Sequence, residues 1–171
     1  MFPHAMADDD DVILDHPNRD KASSKATRAI VVLLLLVSVA LMLVIAIGGW
    51  DFLVGAKALF IAFILIYLVF AFYIARWNRG VLPVVAAFAI VLAIFAALAG
   101  LAWFDRDKDG FDQPALDSGV LGLVCWLIVP VQVLLIIFSA QGFAQAWNVE
   151  VERRRGPRAD RPGRDPAVYP A

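Results

Sequence analysis

Four long apolar runs, Arg28 to Gly49, Leu53 to Ala75, Val81 to Phe104 and Gly119 to Trp147, alternate with short polar links that hold almost all of the charge. An α-helix rises about 1.5 Å per residue, so about 20 apolar residues cross a hydrocarbon core of roughly 30 Å. All four runs are long enough. Backbone in lipid must satisfy its own hydrogen bonds, and a helix does so within one segment. The pattern therefore predicts an all-α integral membrane protein with four antiparallel transmembrane helices (28–49, 53–75, 81–104, 119–147) in a compact bundle. The surplus length is expected as tilt or as ends reaching the headgroups. Pro130, inside the fourth run, predicts a kink.

Composition agrees. Of 171 residues 61% are hydrophobic and 18% charged, against about half and a quarter in soluble domains. A signal peptide is the rival reading of the first run. The polar leader Met1 to Thr27 and the length of the apolar stretch both exceed what a cleavable signal carries, so the run reads as a retained span.

Charge gives an orientation. Arg19, Lys21, Lys25 and Arg28 in the leader, Arg76 and Arg79 in the second link, and Arg153, Arg154, Arg155, Arg158, Arg161 and Arg164 in the tail all fall on one side. The other side carries Asp51 and a third link with five aspartates against Arg106 and Lys108. Since cytoplasmic flanks retain Lys and Arg, both termini are expected in the cytoplasm and the acidic link outside. Richness in Arg, Ala and Val, with compact links, suggests a bacterial plasma (inner) membrane. The leader (1–27) and the tail (153–171) are too polar to offset their ordering entropy and are expected to be disordered. Arg153, Arg154 and Arg155 could meet anionic headgroups, each contributing about 1 kcal/mol near such a surface, or act as a topology signal. No nucleic-acid partner is expected.

Trp50, Trp77, Trp103 and Trp147 stand at proposed ends, where indoles favour the headgroup level; Trp126 falls inside a span. Lys57 sits about a turn into the second span, where its stem can snorkel outward. Trp50-Asp51 and Trp103-Phe104-Asp105 echo one another, as do Trp77-Asn78 and Trp147-Asn148, which suggests two tandem hairpins. In the third span Ala86, Ala89, Ala93, Ala96 and Gly100 recur at spacings of three and four, a face that lets another backbone come close. That helix is expected to be central. Phe60, Phe63, Tyr67 and Phe70 give the second span a bulky face suited to filling space against the small one.

Chemistry inside the spans is sparse. Ser38, Gln132, Ser139, Gln141 and Gln145 are the main polar residues, and no Asp or Glu lies within a hydrocarbon-spanning segment. That argues against proton coupling. His4 and His16 both lie in the leader, so haem ligation by His within the membrane is excluded. Gln141 and Gln145 share a face and are expected to bond a neighbouring helix or line a polar vestibule. Cys125 is alone, which excludes an intrachain disulfide and reads as packing. No nucleophile elbow, phosphate loop or zinc-protease pair is present, and no catalytic residue or organic cofactor is expected.

The third link holds the remaining candidate. Asp105-Arg106-Asp107-Lys108-Asp109-Gly110-Phe111-Asp112 places aspartates at positions 1, 3 and 5 and Gly at 6, and so resembles the first half of the EF-hand calcium loop. The resemblance implies a weak calcium site at Asp105, Asp107, Asp109 and Asp112, with Asp117 as a further donor. It stops at position 12, where Leu116 replaces the bidentate Glu. A solvated turn is the competing reading, and Asp117 or Ser118 can cap the fourth helix. The chain thus reads as a non-enzymatic accessory or scaffold subunit that packs with itself or with a larger membrane complex. An oligomeric small channel or transporter is the alternative, and a membrane enzyme the third reading.

Overall fold

The computed structural model describes residues 12–15, 17–147 and 151–154. Along the chain run strand β1 (Val12–Asp15), a one-turn helix α1 (Pro17–Asp20), four long helices α2 (Ala22–Gly49), α3 (Lys57–Ala75), α4 (Leu82–Arg106) and α5 (Ser118–Ala144), and strand β2 (Val151–Arg154). All four long helices are long and apolar enough to cross a membrane.

Each boundary that departs from the hydropathy reading has a local cause. Helix α2 begins at Ala22 rather than Arg28, because Ser24 and Thr27 continue the buried stripe of Val31, Leu35, Ser38, Met42 and Ile45. Helix α3 begins at Lys57 rather than Leu53. A 3-10 turn at Trp50–Phe52 and a left-handed Gly55, at φ +81°, fold the intervening residues into a turn. Lys57 is therefore the first residue of its helix, and its Nζ lies 4.8 Å from the centroid of the Trp50 ring. Helix α4 starts with Pro83 in its first turn and runs on to Arg106, whose charge suits a helix C-terminus. Helix α5 passes through Pro130 unbroken and stops at Ala144 rather than Trp147, since Ala146 takes φ +48° and turns the chain back.

The four helices share one apolar core. Helix α4 packs closely along α5, and α2 packs against both α5 and α3, whereas the backbones of α3 and α4 hardly approach one another. The expected partner of the small-residue face is thus corrected. Ala89, Ala96 and Gly100 are buried, and Gly100 lies against α5: a Cβ there would meet the Gly122 carbonyl oxygen at 3.3 Å and the Trp126 ring at 2.5 Å. The aromatic face of α3 instead holds α4 at a distance through ring contacts, with Phe63–Phe88 at 5.8 Å, Phe70–Phe88 at 5.4 Å and Phe63–Phe95 at 6.2 Å. Helices α2 and α5 each pack along two neighbours, whereas α4 packs along α5 and meets α3 mainly through aromatic side chains.

Outward, each long helix presents apolar side chains, among them Leu33, Leu65, Leu98, Leu123 and Ile137, all more than half exposed. Trp103 and Trp147 depart from the anchor reading, being 7% and 0% exposed. At the end where the chain enters α2, β1 and β2 pair antiparallel, Ile13 opposite Arg153 and Leu14 opposite Glu152. Leader and tail therefore meet there in a short ribbon where disorder is expected from composition. Residues 1–11 and 155–171, with Arg155, lie outside the described residues.

Candidate functional site

Three helices converge on one buried polar cluster. The Tyr67 hydroxyl on α3 donates to Gln132 Oε1 on α5 at 2.9 Å, and Gln132 Nε2 donates to Ser38 Oγ on α2 at 2.8 Å. Ser38 in turn donates to the Leu34 carbonyl at 2.8 Å. All three side chains are 0% exposed. Each hydroxyl proton and one of the two amide protons has an acceptor, so no polar atom of the cluster is without a partner. In a low-dielectric interior this links α2, α3 and α5 at one register, since sliding any helix by a residue strands a polar group. Ser38 and Gln132 are visible in the sequence as lone polar residues; Tyr67 is hidden in an aromatic stripe.

A second cluster closes the end that carries the termini. Gln145 Nε2 donates to Thr27 Oγ1 at 2.9 Å, and Trp147 Nε1 donates to Gln145 Oε1 at 2.9 Å. The Trp147 ring meets Trp77 edge-on at 5.4 Å, and the Arg28 guanidinium lies 4.2 Å over Trp77. Arg28 also donates to the Ala75 carbonyl at 3.0 Å and Arg79 to the Phe143 carbonyl at 2.7 Å. Two arginines thus occupy the carbonyl ends of α3 and α5, where the helix dipole favours a cation. Trp77, at φ +64°, and Ala146 are the left-handed residues that end these helices. Asn18 and Arg19 add hydrogen bonds to the carbonyls of Ala146 and Trp147. Gln141 is exposed and takes no part, so the glutamines do not form a joint polar face.

The acidic link is organised by its surroundings. Lys108 Nζ pairs with Asp105 Oδ1 at 3.4 Å, both side chains being largely exposed. Asp107 turns away from the negative end of α4 toward the first turn of α5; a Cβ at Gly119 would stand 2.6 Å from its Oδ2. Asp117 caps the same helix, accepting from the Val120 N–H at 3.2 Å. Two carboxylates therefore gather at a positive helix end, which relieves the crowding that the sequence shows at Asp105. Gly110 takes φ +93°, and Asp107, Asp109 and Gln113 line a shallow concavity around it. Leu116, at the place of the missing Glu, is a packing residue: its N–H donates to the Gly48 carbonyl at 3.2 Å and its side chain rests on Gly48. Among the described residues no three His, Cys, Asp or Glu side chains stand together as a metal-ligand set.

An apolar cavity of about 220 Å³ lies between the four helices below the turn at 53–56. Met42 of α2, Phe60 and Phe63 of α3, Leu92 and Ala96 of α4 and Cys125 of α5 contribute to its wall. It follows from the aromatic spacing of α3 and α4, whose rings keep the backbones apart without filling the space. No signal in the sequence announces it.

No family model, curated protein or solved structure matches the chain.

Proposed function

We propose that the chain is a small multi-pass membrane protein whose four antiparallel spans form a bundle with both termini on the cytoplasmic side, in a bacterial inner membrane. It works as a non-enzymatic accessory or scaffold subunit. One observation carries the reading: the helices turn their exposed apolar side chains outward while Ser38, Tyr67 and Gln132 bond one another inside. Lipid or an apolar partner is the medium such a surface requires. The closed polar cluster leaves its groups committed to holding helices together, which suits packing better than conduction. Because Gly100 of α4 is taken by α5, a partner would meet the outer faces or the ribbon of leader and tail; the basic run Arg153, Arg154 and Arg155 suits anionic headgroups.

Crosslinking in membranes followed by gentle solubilisation and mass spectrometry tests this. The expected result is a stoichiometric foreign subunit or a defined homo-oligomer without ion flux in liposomes. A symmetric homo-oligomer that conducts would replace the reading by a small channel, and substrate-dependent turnover would overturn both.

For the acidic link, calcium binding is the second reading, favoured by left-handed Gly110 and the concavity beside Asp107 and Asp109. Binding would require Asp105 to leave Lys108 and the carboxylates to converge, which suits an affinity of about 10⁻⁴ to 10⁻³ M. Millimolar calcium is expected to raise the melting temperature over EDTA, and Asp107→Asn to remove the rise. Superimposable melting curves in the two buffers would end this reading.

A further inference from the structure

We propose that the apolar cavity below the turn at 53–56 holds one acyl chain of a phospholipid, entering sideways between α3 and α4. The inference rests on the membrane reading given above. The cavity, about 220 Å³, is walled by all four long helices. A cavity of about 150 Å³ lined by Leu, Ile and Phe stays dry and takes up benzene, because water needs two to four polar partners. This one is larger and as apolar, so methylenes fit it better than water does.

Its opening selects a lipid chain over a freely dissolved apolar molecule. Leu59 on α3 and Phe95 on α4 both belong to the wall and are 50% and 45% exposed, which places the mouth between the two helices whose backbones stay apart. On either side of that mouth the outer faces are apolar, with Leu65 and Leu98 more than half exposed. A chain already in the bilayer reaches such a mouth without crossing water.

Charge at the upper rim supplies the headgroup end. Lys57 follows Ala56 of the wall directly and holds its Nζ beside the Trp50 ring. The Arg106 guanidinium lies 4.4 Å over Phe52, whose ring meets Trp103 of the wall edge-on at 6.4 Å. Arg106 Nε is buried and has no hydrogen-bond partner. Among the described residues neither cation is in an ion pair. A phosphodiester at headgroup level meets this pair of cations while its chain descends into the cavity.

The test uses the full chain in phosphatidylcholine vesicles doped with a phosphatidylglycerol that carries a diazirine in one acyl chain. Alkaline extraction comes first: release from the vesicles sinks the membrane reading and this proposal with it, whereas retention isolates the proposal. After photolysis, adducts mapped by mass spectrometry are expected on Phe63, Leu92 and Cys125 in excess over outward Leu98 and Leu123. Excess unlabelled phosphatidylglycerol should suppress the cavity adducts and leave the outer ones. Ala99→Phe, which fills the wall beside Ala96, should lower cavity labelling roughly tenfold, what excluding about two methylenes would cost. Should that variant fail to fold, the competition measurement on the unaltered chain decides. A diacylglycerol bearing the same chain should label the cavity less, and Lys57→Gln with Arg106→Gln should erase the difference. Uniform adducts that do not compete, or equal labelling by the two probes, would overturn the assignment.

Discussion

Leucine in place of Gly100 is expected to lower stability by about 3 kcal/mol, the upper part of the range for overpacking. The reason is the closeness of α4 to α5. Even a methyl group at this position would stand 2.5 Å from Trp126 Cδ1, 2.8 Å from its Nε1 and 3.3 Å from the carbonyl oxygen of Gly122. The indole can yield, because Trp126 is 44% exposed and has room to swing outward. The carbonyl belongs to the α5 backbone and cannot. Alanine should therefore cost about 1 kcal/mol, mainly the displaced indole, while leucine must push the two helices apart and open the contacts of Ala96 and Leu121 as well. Thermal unfolding of the purified protein in mild detergent reads the difference, with Leu98→Ala on the outer face as a control expected within about 0.5 kcal/mol of the parent. If Gly100→Leu melts with the parent chain, α4 and α5 do not meet here.

The helices were legible because they are long and apolar; their partners were not. Periodicity finds the small-residue face of α4, since spacings of three and four return to one side of a helix. Which neighbour uses it depends on the shapes of all the candidates at once. Phe60, Phe63 and Phe70 suggested α3, yet large rings hold a neighbour off while Gly122 of α5 admits one. Helix ends show the same limit. Lys57 is read inside a span by counting apolar residues, and the left-handed Gly55 moves it to the helix start. The acidic link carries the spacing of a calcium loop, but its conformation is fixed by contacts the motif does not encode: Leu116 on Gly48, Asp107 beside Gly119 and Asp117 on Val120. The ribbon of leader and tail was missed because Val12, Ile13 and Leu14 make too short a run to stand out, and pairing with Val151–Arg154 is long-range.

Removing the amide at Gln132 tests whether the buried cluster acts as one unit. Gln132→Leu keeps much of the volume but leaves the Tyr67 hydroxyl without an acceptor and Ser38 Oγ without an incoming donor. Polar contacts between membrane helices couple by about 0.6 kcal/mol on average, because the separated helices find partners too. Stranding a buried hydroxyl costs about 1–3 kcal/mol, so the substitution should cost about 2 kcal/mol. Tyr67→Phe removes one donor and leaves Gln132 Oε1 bare, for about 1 kcal/mol. Ser38→Ala deletes the acceptor of Gln132 Nε2 and strands that buried amide, so it should cost about 1–2 kcal/mol, between the other two. Combining Gln132→Leu with Tyr67→Phe should cost less than the sum of the two by about 0.5–1 kcal/mol, as the phenylalanine no longer carries the hydroxyl that the leucine strands. Additive losses in the double-variant cycle would mean that the Tyr67–Gln132 bond contributes nothing to the packing of α3 on α5. Coupling of the expected sign would make this cluster the device that sets the register of α2, α3 and α5, a role that apolar surfaces free to slide past one another cannot perform.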